Sequence, residues 1–254
     1  MCRFGAAAAC CLGAFTTDVS GREYLPEPFR KPGSLGRATG KLIRYGEGFD
    51  PVVDLSGEEL LARLSVSAGE LALHAEGVEV TAPDGMACAE GEVPEIRLTL
   101  RDLQLPAGDA LFRVRARLVE PASGAAAEYG VPAVLWLRPD KLPVYDPVPQ
   151  YDEYHCNLYG LFGCGRMEPM SFYFRDLEPA NREVSLLVRG ARRLVLERVE
   201  VRNAPDVLMR EFEHGFVMVN PSSRPVRIDV GRFCERAAGR TVTVPAVDAV
   251  YVAF

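Results

Sequence analysis

Apolar and polar residues alternate along two neighbouring segments in the middle of the chain. Residues 96–101 (IRLTLR) and 111–118 (LFRVRARL) place an apolar side chain at every second position. A period of two is typical of β-strands with one buried face and one exposed face. The residues Pro-Ala-Gly-Asp at 106–109 therefore predict a tight turn that joins two antiparallel strands.

Short apolar or alternating segments of the same kind recur to the end of the chain, with Pro and Gly between them. We expect strands in 131–139, 170–177, 183–190, 193–201, 215–220, 225–231, 241–246 and 249–254. This spacing is typical of antiparallel sandwiches and not of βαβ units. The predicted fold class is mainly β: an antiparallel, jelly-roll-like β-sandwich, a small C-terminal β domain and a short N-terminal helix.

Helical signals occur in two places. The N-terminus, MCRFGAAAACCLGAF, is rich in Ala and favours a short helix that ends near Gly13. A secretory or lipoprotein signal is the alternative, and it would make the chain extracytoplasmic. The second helix is expected after Ser56, because Glu59 three residues later completes a capping-box pattern. No apolar run reaches the ~20 residues of a membrane span.

The strand pattern and the loops together predict three segments. Residues 1–49 would hold the N-terminal helix and an irregular loop rich in Pro and Gly. Residues 50–208 would form the sandwich. Residues 209–254 would form a small C-terminal sheet that is expected to pack with 1–49.

The stretch EFEHGFVMVNPSSRPVRIDV, residues 211–230, predicts a β-hairpin. Two apolar runs flank the turn-forming residues NPSSRP, and both faces of residues 216–219 are apolar. His214 precedes a turn glycine without a nucleophile beside it, which favours a structural role over a catalytic one.

Charge and cysteine usage exclude several classes of function. The net charge is −6 and the pI is near 5.3, so nucleic-acid binding through a basic surface is not expected. The seven cysteines include no CxxC pair, and His155, Cys156 and Cys164 lack a fourth zinc ligand nearby. No nucleotide-binding or GxSxG motif is present. We therefore expect no metal and no cofactor.

Aromatic residues are concentrated in the segment from Asp140 to Met170, which is predicted to be a long loop without strands. Planar aromatic faces can pack against the CH faces of sugar rings, while loop carboxylates bind hydroxyls. The alternative is that the aromatic side chains only fix the loop on the sandwich. The candidate carbohydrate-binding residues are Trp136, Tyr151, Asp152, Tyr154 and Tyr159.

Three arginines, Arg113, Arg115 and Arg117, lie on one face of the segment 111–118. Such a row is usually a solvated face paired with acidic neighbours across the sheet.

The ends of the chain resemble a known family. The segments RFGAAAACCLGAF, SLGRATGK, REFEHGFVMVNPSSRPVRI and TVTVPAVDAVYVAF resemble, in that order, the C-terminal end of TIM-barrel glycoside hydrolases. In that family a "LGxPxG"-like loop and an "REFENGxVxVNP" hairpin open a small all-β domain. Ala38 stands in place of the loop proline and His214 in place of the hairpin Asn. The matching residues are Leu35, Gly36, Gly40, Arg210, Glu211, Phe212, Glu213, Gly215, Val217, Val219, Asn220 and Pro221.

The resemblance covers roughly the first and last 45 residues and includes no catalytic barrel strand. It implies a noncatalytic accessory region of a glycoside hydrolase-like protein, with an inserted sandwich similar in style to carbohydrate-binding modules. The expected partners are a glycan and a catalytic barrel. One alternative is an envelope β-sandwich lipoprotein anchored through Cys10 or Cys11. A second is a hydrolase that uses the loop carboxylates Asp152 and Glu153.

Overall fold

The computed structural model describes residues 35–83, 95–122, 132–140, 159–162, 165–179 and 182–254. The chain divides into two compact units. The sandwich unit comprises residues 50–203, and the terminal unit comprises 204–254 together with the described residues up to Phe49. The predicted N-terminal helix lies outside the described residues.

The sandwich unit consists of two antiparallel sheets. A six-stranded sheet has the order β10-β7-β12-β5-β4, with β2 also paired to β12, and a five-stranded sheet has the order β3-β6-β11-β8-β9. The strands are β2 (Val53–Ser56), β3 (Leu64–Val66), β4 (Glu70–His74), β5 (Gly77–Thr81), β6 (Glu95–Leu100), β7 (Gly108–Pro121), β8 (Ala133–Pro139), β9 (Tyr159–Phe162), β10 (Glu168–Leu177), β11 (Val184–Arg189) and β12 (Ala191–Arg202).

The inner faces of the two sheets form one hydrophobic core. Side chains at alternate positions of β6, β8 and β11 from one sheet meet those of β7, β10 and β12 from the other. Phe112 and Phe174 contact edge to face, with ring centroids 5.5 Å apart, an arrangement that aromatic pairs prefer. The prediction of a mainly β chain with an antiparallel sandwich is confirmed.

One helix, α1 (Gly57–Arg63), connects β2 to β3. Its Leu60 is completely buried in the sandwich core. Ser56 occupies the N-cap position as predicted, but its side chain makes no capping hydrogen bond. The helix therefore depends on packing more than on a capping box, as expected for so short a helix.

The predicted pairing of residues 96–101 with 111–118 across a tight turn is wrong. β6 pairs with β3 and β11, whereas β7 pairs with β10 and β12 in the other sheet. The connecting segment carries Leu103 and Leu105 into the core. Because these two side chains are buried in the core, the chain crosses here from the five-stranded sheet to the six-stranded sheet.

The terminal unit contains a four-stranded sheet of order β1-β13-β14-β17 and a two-stranded sheet of β15 and β16. Two small cores cover opposite faces of the central strand β14, which is buried along its whole length. The strands are β1 (Ile43–Arg44), β13 (Leu208–Phe212), β14 (Gly215–Asn220), β15 (Val226–Asp229), β16 (Thr241–Val244) and β17 (Asp248–Ala253). Burial of residues 216–219 on both faces was predicted and is confirmed.

The hairpin predicted across residues 220–225 is wrong. β14 pairs with β13 and β17, and β15 pairs with β16 in a separate sheet. The hairpin lies one turn earlier in the sequence, where Phe212 is paired with Gly215 and His214 is in the turn. The side chain of Asn220 binds the polypeptide after β14 in place of a strand pairing, as described below.

Candidate functional site

The single tryptophan lies on the outer face of the five-stranded sheet. Leu135 and Leu137 of β8 point into the sandwich core. Because side chains alternate along a strand, Trp136 points the opposite way, where it packs with Val134 and Leu187 in a small separate cluster. The sequence left open whether Trp136 is in the sandwich core, and the structure places it outside that core.

A depression lies beside Trp136 on this outer face, with a volume of about 260 Å³. The apolar part of its lining comes from the indole and from Leu187, and the polar part comes from three strands of the sheet. The lining residues are Arg97, Trp136, Arg138, Pro139, Asp140, Ser185 and Leu187. The depression thus combines a mostly covered aromatic ring, 4% exposed, with charged and hydroxyl groups.

Arginines dominate the charge around the depression. The guanidinium of Arg189 lies 5.9 Å from the centre of the Trp136 ring, within cation–π distance. The Nε atom of Arg189 donates a hydrogen bond of 3.2 Å to Glu95, which lies opposite Arg189 in the strand pairing. Arg138 is exposed, and within the described residues it has no ion-pair or hydrogen-bond partner. Its donors are therefore available to a ligand.

The structure brings one further candidate residue to this site. Tyr159 begins β9 and occupies the position directly opposite Trp136 in the strand pairing. The expectation that 140–170 contains no strand is wrong, because β9 lies inside this segment and β10 begins at Glu168. Tyr151, Asp152 and Tyr154 lie outside the described residues.

Four polar residues of the depression were not among the sequence candidates. Arg97, Arg138 and Ser185 lie on β6, β8 and β11, and Asp140 follows β8. Alternation within each strand assigns the three strand residues to a polar face, but it does not show that β11 lies between β6 and β8. The information missing from the sequence was therefore the order of the strands.

The arginine row of β7 lies on the outer face of the other, six-stranded sheet. Arg115 binds Glu197 of β12 at 3.1 Å, and Arg117 forms an ion pair with Glu76. For these two arginines the predicted pairing with acidic neighbours is confirmed. Arg113 differs, because Glu200, its neighbour across β12, is bound by Arg202 at 3.1 Å.

The same face carries a strong ion pair at its edge. The Nε and Nη2 atoms of Arg198 donate to the two carboxylate oxygens of Asp54 at 2.6 and 2.5 Å. This bidentate contact lowers the pKa of Asp54, with a smaller opposing effect of burial, and raises that of Arg198. The contact therefore favours the charged forms of both groups.

The two motifs that carry the family resemblance meet in the terminal unit. The amide of His214 donates to the carbonyl of Leu35 at 3.0 Å, and the amide of Glu213 donates to that of Arg37 at 2.9 Å. Gly36 adopts φ +73°, and a Cβ atom at this position would lie 2.7 Å from the Cβ of Glu213. Glycine is thus required here by both its backbone angle and its surroundings.

Two ionisable side chains, Asp206 and Cys234, are buried in the terminal unit. Asp206 is buried and accepts a 3.1 Å hydrogen bond from Nε of Arg44. Burial raises the pKa of Asp206, and the nearby Arg44 opposes this change. Burial also raises the pKa of the Cys234 thiol, and the carboxylate of Glu211 adds to the effect. Cys234 is therefore an unreactive thiol in the folded state.

The described residues contain no recognisable catalytic or metal-binding arrangement. No group of three or more His, Cys, Asp or Glu side chains within the described ranges could hold a metal ion. His74 is exposed at the end of β4, and His214 is exposed in the turn before β14. Glu153, His155, Cys156 and Cys164 lie outside the described residues, as do Cys10 and Cys11.

Two solved structures show a distant likeness to this chain. No family model matches the chain, and no curated protein matches it significantly. The C-terminal CBM6 of LamC, a marine laminarinase from Zobellia galactanivorans, is 8% identical, with 59% of this chain and 100% of that chain covered and a TM-score of 0.36. The CBM1 of BiXyn10A is 8% identical, with 66% and 100% covered and a TM-score of 0.29. Neither likeness carries an argument about function.

None of the helices within the described residues has the length and apolar character needed to cross a bilayer.

Proposed function

We propose that the sandwich unit binds a glycan at the depression beside Trp136. A sugar ring has an apolar CH face and a rim of hydroxyl groups. Trp136 and Leu187 line the depression and, although both are mostly covered, offer it a small apolar surface, while Arg138, Asp140 and Ser185 offer donors and acceptors for hydroxyls. The observation that carries the proposal is the location of Trp136 on the outer sheet face, at a depression with a polar rim.

The size of the depression sets the expected mode of binding. Its volume of about 260 Å³ is close to the lower limit of ~300 Å³ for typical ligand pockets. Such a space accommodates about one sugar ring, so we expect binding to a single residue or chain end of a longer glycan. Affinity should accordingly be weak.

Intrinsic fluorescence tests the proposal directly, because Trp136 is the only tryptophan in the chain. Titration with soluble oligosaccharides should shift or quench the emission in a saturable manner. Arg138→Ala should weaken binding at least about tenfold, equivalent to about 1.4 kcal/mol. Arg227→Ala, at an exposed position in the terminal unit, is the matched control and should bind as the wild type does.

Affinity electrophoresis in soluble polysaccharides provides a second readout that does not depend on fluorescence. The wild type should be retarded by at least one glycan, and Trp136→Leu should be retarded less. Absence of both retardation and a spectral change across a broad glycan panel would contradict glycan binding.

We also propose that this glycan-binding region accompanies a catalytic barrel of the glycoside hydrolase type. Support comes from the residues that carry the family resemblance, because Leu35 and Gly36 pack directly on the Glu213–His214 turn. The DNA upstream of the Met1 codon tests this part separately. An in-frame sequence for barrel strands is expected, whereas an in-frame stop codon close to Met1 would contradict a single-chain origin without affecting the glycan site.

A further inference from the structure

The outer face of the six-stranded sheet carries several arginines, most of which are paired with carboxylates. Within the described residues, Arg115 pairs with Glu197, Arg117 with Glu76, Arg198 with Asp54, and Arg202 with Glu200. Arg113 lies among them in the strand pairing, opposite Glu200. Unlike these four arginines, Arg113 forms no ion pair within the described part of the chain.

Glu200 is already engaged by other arginines. Its Oε1 atom lies 3.1 Å from Nη2 of Arg202 and 3.4 Å from Nη2 of Arg198. The carboxylate is buried, so little room is left for a third guanidinium. Asp54, the next carboxylate on this face, is bound at both oxygens by Arg198. Both of these carboxylates are therefore already bound by other arginines.

The Arg113 side chain is fixed but not satisfied. Its Nε atom is buried and lacks a hydrogen-bond partner, and within the described part of the chain no ion pair involves this residue. Its terminal nitrogens are not among the buried unpartnered atoms of the described residues, and the residue as a whole is half-buried. Ser171, the neighbour of Arg113 on β10, has a short uncharged side chain.

We propose that Arg113 binds an oxyanion, that is, a carboxylate, sulfate or phosphate group. A guanidinium offers a planar set of donors that matches the geometry of such groups. Burial of Nε holds this set in place before the ligand arrives, which lowers the entropic cost of binding. The site lies on a different sheet from Trp136 and does not depend on glycan binding there.

Thermal unfolding at constant ionic strength tests the site with sodium sulfate, sodium phosphate and sodium glucuronate against sodium chloride. Sulfate and phosphate stabilise proteins generally by exclusion from the surface, so each variant is compared in all four salts. Arg113→Met keeps most of the side-chain stem and removes the charge. Arg182→Met, at an exposed arginine of the same unit, is the matched control.

We expect the wild type and Arg182→Met to gain extra stability from at least one oxyanion, with saturation as its concentration rises. Arg113→Met should lose this gain, and its apparent Kd should be at least about tenfold higher. In chloride, Arg113→Met should be no less stable than the wild type, because no ion pair is broken. The salt that binds most tightly identifies the class of oxyanion. Tightest binding of glucuronate would indicate an acidic sugar.

Two results would overturn the proposal. An equal response of Arg113→Met and the wild type to every oxyanion would show that the stabilisation is nonspecific. A clear destabilisation of Arg113→Met in chloride would instead show that the guanidinium has a structural partner. Trp136 emission serves as a check, because it should stay unchanged when an oxyanion occupies the Arg113 site alone.

Discussion

Asn220 is predicted to be the polar residue on which the terminal unit depends most. Its Nδ2 atom donates to the carbonyls of Arg224, Pro245 and Val244 at 2.7, 3.0 and 3.2 Å. Its Oδ1 atom accepts from the amide of Ser222 at 3.0 Å. The side chain is completely buried. One amide thus fixes the turn after β14 and the end of β16 at once.

The expected cost of removing this amide follows from the groups left behind. In Asn220→Ala, the amide of Ser222 loses its acceptor, and the carbonyls of Val244 and Pro245 lose a donor. Ser222 still donates from Oγ to the carbonyl of Arg224 at 3.0 Å. An unsatisfied buried polar group costs about 1–3 kcal/mol, and carbonyls lie at the low end. We expect a loss of about 3 kcal/mol.

The Asn220→Asp variant separates hydrogen bonding from shape. It keeps the size of the side chain and the acceptor for Ser222, but it places a carboxylate oxygen opposite three carbonyl oxygens. Like partial charges at these distances repel, and burying a carboxylate costs more free energy than burying a neutral amide. The loss should therefore exceed that of Asn220→Ala. Asn203→Ala, the same truncation at an exposed position, should change stability by less than about 0.5 kcal/mol.

Urea unfolding followed by pulsed alkylation of Cys234 measures the loss of stability in the terminal unit separately from the sandwich unit. Cys234 is buried in the core of the terminal unit, so its labelling, read by peptide mass spectrometry, reports unfolding there, whereas Trp136 fluorescence reports the sandwich unit. With a slope of about 1.5 kcal/mol/M, a 3 kcal/mol loss lowers the midpoint by about 2 M. An Asn220→Asp variant as stable as the wild type would refute the reasoning.

Two further predictions concern the same unit. Gly36→Ala should destabilise the terminal unit by about 1–3 kcal/mol, because φ is +73° and the added Cβ would contact Glu213. Gly48→Ala is the control and should not destabilise it, because nothing lies within 4 Å of an added Cβ there. Burial raises the pKa of Asp206 above 3.8, so its stabilising contribution is present below that pH and is lost as the pH rises through the folded-state pKa. Between about pH 4 and 7 the midpoint measured by circular dichroism should therefore fall more for the wild type than for Asp206→Asn, and parallel curves would contradict this assignment.

Local pattern predicted most strands of this protein, because alternation is a property of the segment itself. The segments around Leu135, Leu186 and Leu196 bury one side against the opposite sheet wherever they lie in the fold. The helix after Ser56 could also be predicted, since its signal is equally local. For such elements, the secondary structure indicated by the local sequence is the one found in the folded chain.

Strand pairing could not be predicted in the same way, because it depends on contacts between distant segments. The linkers after β6 and after β14 both look like turns, yet each connects two different sheets. In the first, Leu103 and Leu105 make burial in the core more favourable than a hairpin turn. In the second, Asn220 satisfies the backbone carbonyls that a continued strand pairing would have bound.

The candidate sites have the same dependence on strand order. Any strand with arginine at alternate positions predicts a basic row, as in 113–117, and the sequence contains enough acids to neutralise it. Which arginine lacks an acid is decided only when β12 supplies Glu197 to Arg115 and gives Glu200 to Arg202. A bulge in β12 between Leu196 and Arg198 shifts the register at this point. The lack of an ion pair for Arg113 within the described residues is therefore a property of strand register, which composition and periodicity do not contain.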